Sequence, residues 1–222
     1  MFGSIKEKID NILNNINDYK SKALAPASQI TLLAASKRQD REKIEQAVVA
    51  GVACFGENQV QEAKSKWTSL KEKHSHIELH LIGPLQSNKA ADAVALFDVI
   101  QTVDREKIAR ALSHEMKKQS RHVPCFIQVN IGDEEQKHGV AVSEIADFTS
   151  LCVDELGLDI QGYMCVPPIG ESPAPYFALM QKIAREQGVK ELSMGMSGDY
   201  ATAIKFGATY VRIGTALFGA RD

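Results

Sequence analysis

The stretch Glu191-Leu192-Ser193-Met194-Gly195-Met196-Ser197-Gly198-Asp199, followed by residues 200–206 and then Thr209-Tyr210-Val211-Arg212-Ile213-Gly214-Thr215, decides the fold. It reads as a strand over 191–196, a short helix over 200–206 and a second strand over 209–213, and strands joined through a helix lie parallel. The same unit recurs back along the chain. Short apolar runs at 30–36, 52–55, 77–82, 98–102, 124–131 and 160–166 alternate with helical patterns at 41–50, 57–73, 88–96, 105–119, 142–156 and 174–187. Ile5, Ile9, Ile12 and Ile16 fall at helical spacing, which adds an N-terminal helix over 4–20, and residues 23–28 make a turn. Eight strands close a (β/α)8 TIM barrel, and 222 residues suffice for one with short loops. A doubly wound open sheet is the alternative. With no linker, low-complexity segment or longer repeat, residues 1–222 are expected to form a single domain.

Composition narrows the functional classes. Hydrophobic residues make up 44% and charged residues 24%, the profile of a globular protein. Twenty-six Lys and Arg against 28 Asp and Glu leave a net charge of −2, so no basic field points to nucleic acid. Lys6, Glu7, Lys8 and Asp10 stand where a signal peptide would need an apolar run, and no stretch approaches the roughly 20 apolar residues of a membrane span. Cys54, Cys125, Cys152 and Cys165 have no CxxC spacing and read as reduced thiols. A cytoplasmic protein is expected, without membrane contact.

In such a barrel the site lies at the C-terminal ends of the strands. The first strand ends in Ser36-Lys37, and the two-residue period puts Leu33, Ala35 and Lys37 on one face. A lysine emerging into a barrel mouth is partly desolvated, which favours the neutral amine needed for a Schiff base; a lysine snorkelling to solvent has the same spacing. The seventh strand runs into Ser197-Gly198 and the eighth into Gly214-Thr215, where these barrels commonly bind phosphate. Turns alone could also account for those glycines. Arg212 shares a strand face with Gly214 and needs an acceptor if buried: either a ligand or a carboxylate such as Asp199. His74, His76 and His80 form a trio, but His74 and His76 precede the third strand and fall at the barrel's other end, and no metal is expected. His80 on its own can turn inward. Asp133-Glu134-Glu135 reads as a solvated loop, and Met164, Met194 and Met196 as packing. No GxSxG, P-loop or GxGxxG is present.

Several blocks together resemble the pyridoxal phosphate (PLP) homeostasis proteins. They are Leu33-Ala34-Ala35-Ser36-Lys37, Gly56-Glu57-Asn58-Gln59-Val60-Gln61-Glu62 and His80-Leu81-Ile82-Gly83-Pro84-Leu85-Gln86-Ser87-Asn88-Lys89. Val129-Asn130-Ile131, Lys137-His138-Gly139, Leu192 to Asp199 and Val211 to Gly219 complete the set, so the resemblance runs over residues 33–219. One departure is small: Ala34-Ala35 stands where Ala-Val is usual. The family is similar to the isolated barrel domain of alanine racemase, a fold-type III PLP protein. The resemblance implies that Lys37 holds PLP as a Schiff base, that Ser197, Gly198, Gly214 and Thr215 hold its phosphate, and that Arg212 faces the pyridine nitrogen. It also places Asn58 near the cofactor and makes His80 and Met194 neighbours of the ring.

An arginine at the pyridine nitrogen disfavours its protonation and leaves the ring a poorer electron sink. The racemase works with a tyrosine base from a second domain of the partner subunit, and no such domain is expected here, Tyr163, Tyr200 and Tyr210 belonging to the barrel. Three functions follow. The first is a monomeric PLP protein that buffers, carries or delivers the cofactor, to PLP-requiring apo-enzymes among others, and so affects amino-acid and keto-acid balance. The second is a weakly active amino-acid racemase, and the third a Schiff-base barrel enzyme acting on a phosphorylated substrate. The first is the expectation.

Overall fold

The computed structural model describes residues 4–219. Helix α1 (Ile5–Ser21) comes first. Eight strands follow: β1 (Thr31–Ala35), β2 (Cys54–Glu57), β3 (Glu78–Leu81), β4 (Val99–Val103), β5 (Cys125–Asn130), β6 (Ile160–Cys165), β7 (Glu191–Met196) and β8 (Tyr210–Ile213). Between them run α2 (Arg41–Val49), α3 (Val60–Lys73), α4 (Ala90–Leu96), α5 (Glu106–Gln119), α6 (Ile145–Ser150), α7 (Ala174–Glu186) and α8 (Tyr200–Lys205), and α9 (Thr215–Phe218) follows β8. A two-residue strand, Val140–Ala141, pairs with the end of β5.

Neighbouring strands are parallel, and the ends of the series meet. β1 pairs with β8 from Thr31 opposite Tyr210 to Ala34 opposite Ile213, while β4 pairs with β5 at Ile100–Cys125 and Val103–Ile127. Every strand of the eight therefore has two partners, and the barrel is closed. The open sheet is excluded.

Strand alternation produces two cores. Outward residues such as Ala34, Phe55, Leu79, Ile127 and Val211 join the helices in one large apolar layer, to which Ile9, Ile12 and Ile16 of α1 contribute. Val99, Phe126 and Met164 form a separate cluster inside the barrel, with Val166 and Tyr210 against it. The interior is not wholly apolar: His80, Gln101, Ser193 and Arg212 are all buried.

Two elements depart from the sequence-based expectation. The second strand extends to Glu57, which the helical pattern over 57–73 had claimed; its side chain is fully buried against α3, where Trp67 donates to Oε1 at 2.9 Å. The helix expected over 142–156 begins as a tight turn, is regular only over α6, and ends in a wide turn closed by the Leu156 amide on the Leu151 carbonyl. That widening lets both Cys152 and Leu156 reach the core.

Candidate functional site

A cavity of about 410 Å³ opens at the C-terminal mouth of the barrel. Lys37 enters it two residues beyond β1, Asn58 just after β2, Ser197 and Gly198 after β7, and Gly214 and Thr215 after β8. Arg212, from β8, forms its inner wall. Seven of the nine residues expected at the site thus share one cavity.

Lys37 is half-buried, and the peptide units on either side of it are held by α3. Lys66 Nζ donates to the Ser36 carbonyl at 3.0 Å and meets Glu57 Oε1 at 2.7 Å and Glu62 Oε1 at 2.9 Å. Glu62 Oε1 also accepts the Arg38 amide at 2.5 Å, and Ser36 Oγ donates to Glu57 Oε1 at 2.7 Å. Burial alone would raise the Glu62 pKa; the bonds from Lys66 and the Arg38 amide outweigh it, and the carboxyl sits below its ordinary value. Arg38 has φ +59°, a left-handed conformation uncommon for a non-glycine residue.

The two mouth loops are tied together. Ser197 Oγ accepts the Ala216 amide at 3.3 Å, joining the turn after β7 to the start of α9. Asp199 Oδ1 accepts the Met196 amide at 2.5 Å, closing its own turn. Asp199 is therefore not the salt-bridge partner of Arg212. The Arg212 guanidinium is 5% exposed and is held by neutral acceptors: the Ser193 carbonyl at 2.6 Å, Ser193 Oγ at 2.8 Å and the Cys165 carbonyl at 2.8 Å. Burial pulls its pKa down from the ordinary value, but a guanidinium starts so far above neutrality that it stays charged. No carboxylate lies within ion-pair distance of Arg212 among the described residues. Asn58 Oδ1 is likewise buried without a hydrogen-bond partner.

Two expected residues lie elsewhere. Met194 is completely buried in the outer layer rather than at the mouth. The cause is local: β7 slips register against β8 between Ser193 and Met196, and Gly195 takes φ +90°, where a Cβ would lie 2.6 Å from Ala203 Cβ. Ser193 thus faces inward, Met194 outward, and Met196 takes the place at the cavity. His80 does turn inward, but one layer below, against Tyr210 with ring centroids 5.4 Å apart. Cys54, from β2, and Glu78, two residues back along β3, come within 4.8 Å of it. Arg212 can only donate to Ser193 Oγ, and the Ser193 hydroxyl in turn donates to Gln101 Oε1 at 2.6 Å. Gln101 Nε2 then donates to His80 Nδ1 at 2.8 Å, which leaves the ring hydrogen on Nε2. An N–H, not a lone pair, faces the other two groups.

A family model described as alanine racemase, N-terminal domain, matches residues 8–222. A pyridoxal phosphate homeostasis protein of Pasteurella multocida is 37% identical over 229 residues, covering 99% of this chain and 98% of that protein. The chain belongs to the pyridoxal phosphate homeostasis protein family. Among solved structures, PipY of Synechococcus elongatus PCC7942 with PLP bound superposes with a TM-score of 0.82 at 30% identity, covering 97% of this chain and 100% of PipY. PipY without PLP gives a TM-score of 0.86 at 32% identity, with the same coverage. Alanine racemase of Corynebacterium glutamicum shares the fold, with a TM-score of 0.66 at 19% identity over 96% of this chain and 61% of the racemase. To the residues expected at the site, the structure adds Ile82, Val166 and Met196 in the cavity, and Ser193 and Gln101 beneath it. Polar residues inside otherwise apolar strands were the available signal for those last two.

Proposed function

We propose that the chain binds pyridoxal 5′-phosphate in the mouth cavity and serves in PLP homeostasis, buffering, carrying or delivering the cofactor without turning over a substrate. The observation that carries this reading is the meeting, in one cavity, of a strand-end lysine, two linked Ser/Gly and Gly/Thr turns, and a buried guanidinium with only neutral partners. Each feature suits one part of PLP. Lys37 is the amine for the aldehyde. Ser197, Gly198, Gly214 and Thr215 offer hydroxyls and small backbone contours to the phosphate. Arg212 turns its charge toward the ring nitrogen, and Asn58 brings an amide whose buried oxygen has no acceptor duty inside the protein. The cofactor, when bound, supplies a reactive aldehyde and an electron-withdrawing ring; the arginine limits how far that ring can draw electrons. The solved PLP complex of PipY supports the assignment.

Absence of turnover is supported by the cavity wall. None of the five tyrosines lines the Lys37 cavity, so the barrel offers no phenol as a second base there. The names of the relatives point the same way. We place the protein in the cytoplasm as a monomer acting as one domain, with PLP-requiring apo-enzymes as recipients; no helix among the described residues is long and apolar enough to cross a membrane.

The test is the intact mass after incubation with PLP and borohydride. One reduced-PLP increment on the wild type, absent from Lys37→Ala, is expected. Equal labelling of both proteins, or none of either, overturns the assignment.

A further inference from the structure

Inside the barrel, below the cavity, five side chains form one line of contacts: Arg212 to Ser193, Ser193 to Gln101, Gln101 to His80, and His80 to Glu78. His80, Gln101 and Ser193 are fully buried, and each comes from a different strand, β3, β4 and β7. Their hydrogens are interlocked. Arginine has no acceptor, so Ser193 Oγ accepts from it, and the hydroxyl gives its own hydrogen to Gln101 Oε1. That fixes the amide, which presents its NH2 to His80 Nδ1 and leaves the imidazole hydrogen on Nε2. There it faces Glu78 Oε1 at 3.1 Å, close but off-line, so this last step is the weakest. Turning any one of these groups round sets two hydrogens against each other, at a buried site where an unmade bond is costly.

We propose that Ser193 and Gln101 are positioning residues for Arg212, anchored by His80 and Glu78, and that this line keeps the guanidinium aimed so that the bound ring nitrogen stays unprotonated. The inference rests on the functional reading above, in which Arg212 faces that nitrogen. Its physical content is that the neutral acceptors orient the cation without neutralising it. A carboxylate in place of Ser193 would pair with the guanidinium and draw it away from the ligand. The Ser193 and Cys165 carbonyls fix two of its edges, and Gln101, by taking the hydroxyl hydrogen, holds a lone pair of Ser193 Oγ turned toward the guanidinium. The other titratable groups bearing on the guanidinium are the Cys165 thiol and the Asp199 carboxylate; those around the far end are Glu78, Cys54 and Tyr210.

The experiment uses the full chain loaded with PLP carrying a nitrogen-15 label in the ring. Ser193→Ala and Gln101→Met remove links of the line. Met164→Leu, at a buried position of the inner cluster with no hydrogen bond to lose, serves as the packing control. Borohydride trapping and intact mass first establish whether each variant still carries the cofactor on Lys37, so a failed functional reading shows there, in the wild type, before the ring is examined. The ring nitrogen resonance is then followed by NMR from mildly alkaline to mildly acidic pH. The wild type and Met164→Leu are expected to hold the unprotonated shift throughout. Ser193→Ala and Gln101→Met are expected to move toward the protonated shift as pH falls. A wild-type resonance in both variants, or the same movement in Met164→Leu, overturns the proposal. If one variant does not fold, the other decides alone.

Discussion

Lys66 donates to the Ser36 carbonyl at 3.0 Å, one residue before Lys37, although the two lie 30 positions apart in the chain. The same ammonium is the only cation on Glu57 among the described residues, and Glu57 is fully buried, with Oε2 lacking any hydrogen-bond partner. Removing one member of a buried pair strands the other charge, at a cost of about 3–5 kcal/mol. Lys66→Met should therefore lower stability by an amount in that range. The double variant Glu57→Gln, Lys66→Met should recover most of it, because no charge is left buried. Urea denaturation of the three proteins measures both values, and loss of PLP retention by Lys66→Met at full foldedness would show the clamp acting on Lys37.

The proposal that the two mouth loops hold the phosphate makes a prediction that separates two vitamers. Ser197→Ala and Thr215→Val each remove a hydroxyl from the loops assigned to the phosphate, and a hydrogen bond to a charged group contributes roughly 1.5–3 kcal/mol. PLP should be retained less well by both variants, and pyridoxal, which has no phosphate, nearly as well as by the wild type. Equilibrium dialysis with each vitamer checks the difference. Equal losses for both would remove the loops from the phosphate.

Gly83 lies just beyond β3, where the chain crosses over the Asn58 backbone. A Cβ at this position would lie 2.3 Å from the Asn58 carbonyl oxygen and 2.6 Å from its Cα. Backbone atoms cannot swing aside as a flexible side chain does. Gly83→Ala should cost about 1–3 kcal/mol by overpacking and shift Asn58 away from the cavity, so that PLP binds more weakly than the stability loss alone explains. Thermal melts with and without PLP distinguish the two effects.

All four cysteines are buried. Burial pushes the Cys152 and Cys165 thiols up to about 12, and Cys54 and Cys125 well above their ordinary value. A raised thiol pKa keeps the proton on sulfur at neutral pH, and the thiolate is the reactive form. Native protein should therefore resist alkylation between neutral and mildly alkaline pH, whereas protein in denaturant takes up four groups. Mass spectrometry of iodoacetamide-treated samples reads the number directly.

The closed barrel was legible because each strand carries a strong apolar run and each crossover a helical period, and those local signals agree with the global fold. The meeting of Lys37 with the Ser197-Gly198 and Gly214-Thr215 turns in one cavity was legible for a related reason: strand ends in such a barrel converge on one mouth. What escaped were features set by tertiary contact. Glu57 looked helical because charged residues are rarely fully buried; only Lys66, Ser36 and Trp67 arriving from elsewhere make that position tolerable. The exchange of Met194 for Met196 turns on a register slip at Gly195 that no two-residue period can anticipate. Whether Arg212 meets Asp199 or neutral groups depended on which way a short turn folded, and Asp199 closes on the Met196 amide instead.

A guanidinium sealed among carbonyls and a hydroxyl ties the lifetime of the folded chain to the vitamer pool. Those acceptors satisfy its hydrogens but leave its charge unbalanced, so an anion at the mouth lowers the energy of the native fold and leaves the unfolded chain unaffected. At a hundred times the dissociation constant, linkage of this kind adds about 2.7 kcal/mol. Chains without ligand open more often, and it is opened chains that proteases remove. A chain that buffers its cofactor as proposed would, on this physics, shrink in number when the cofactor runs low and persist when it is plentiful, with no separate sensor.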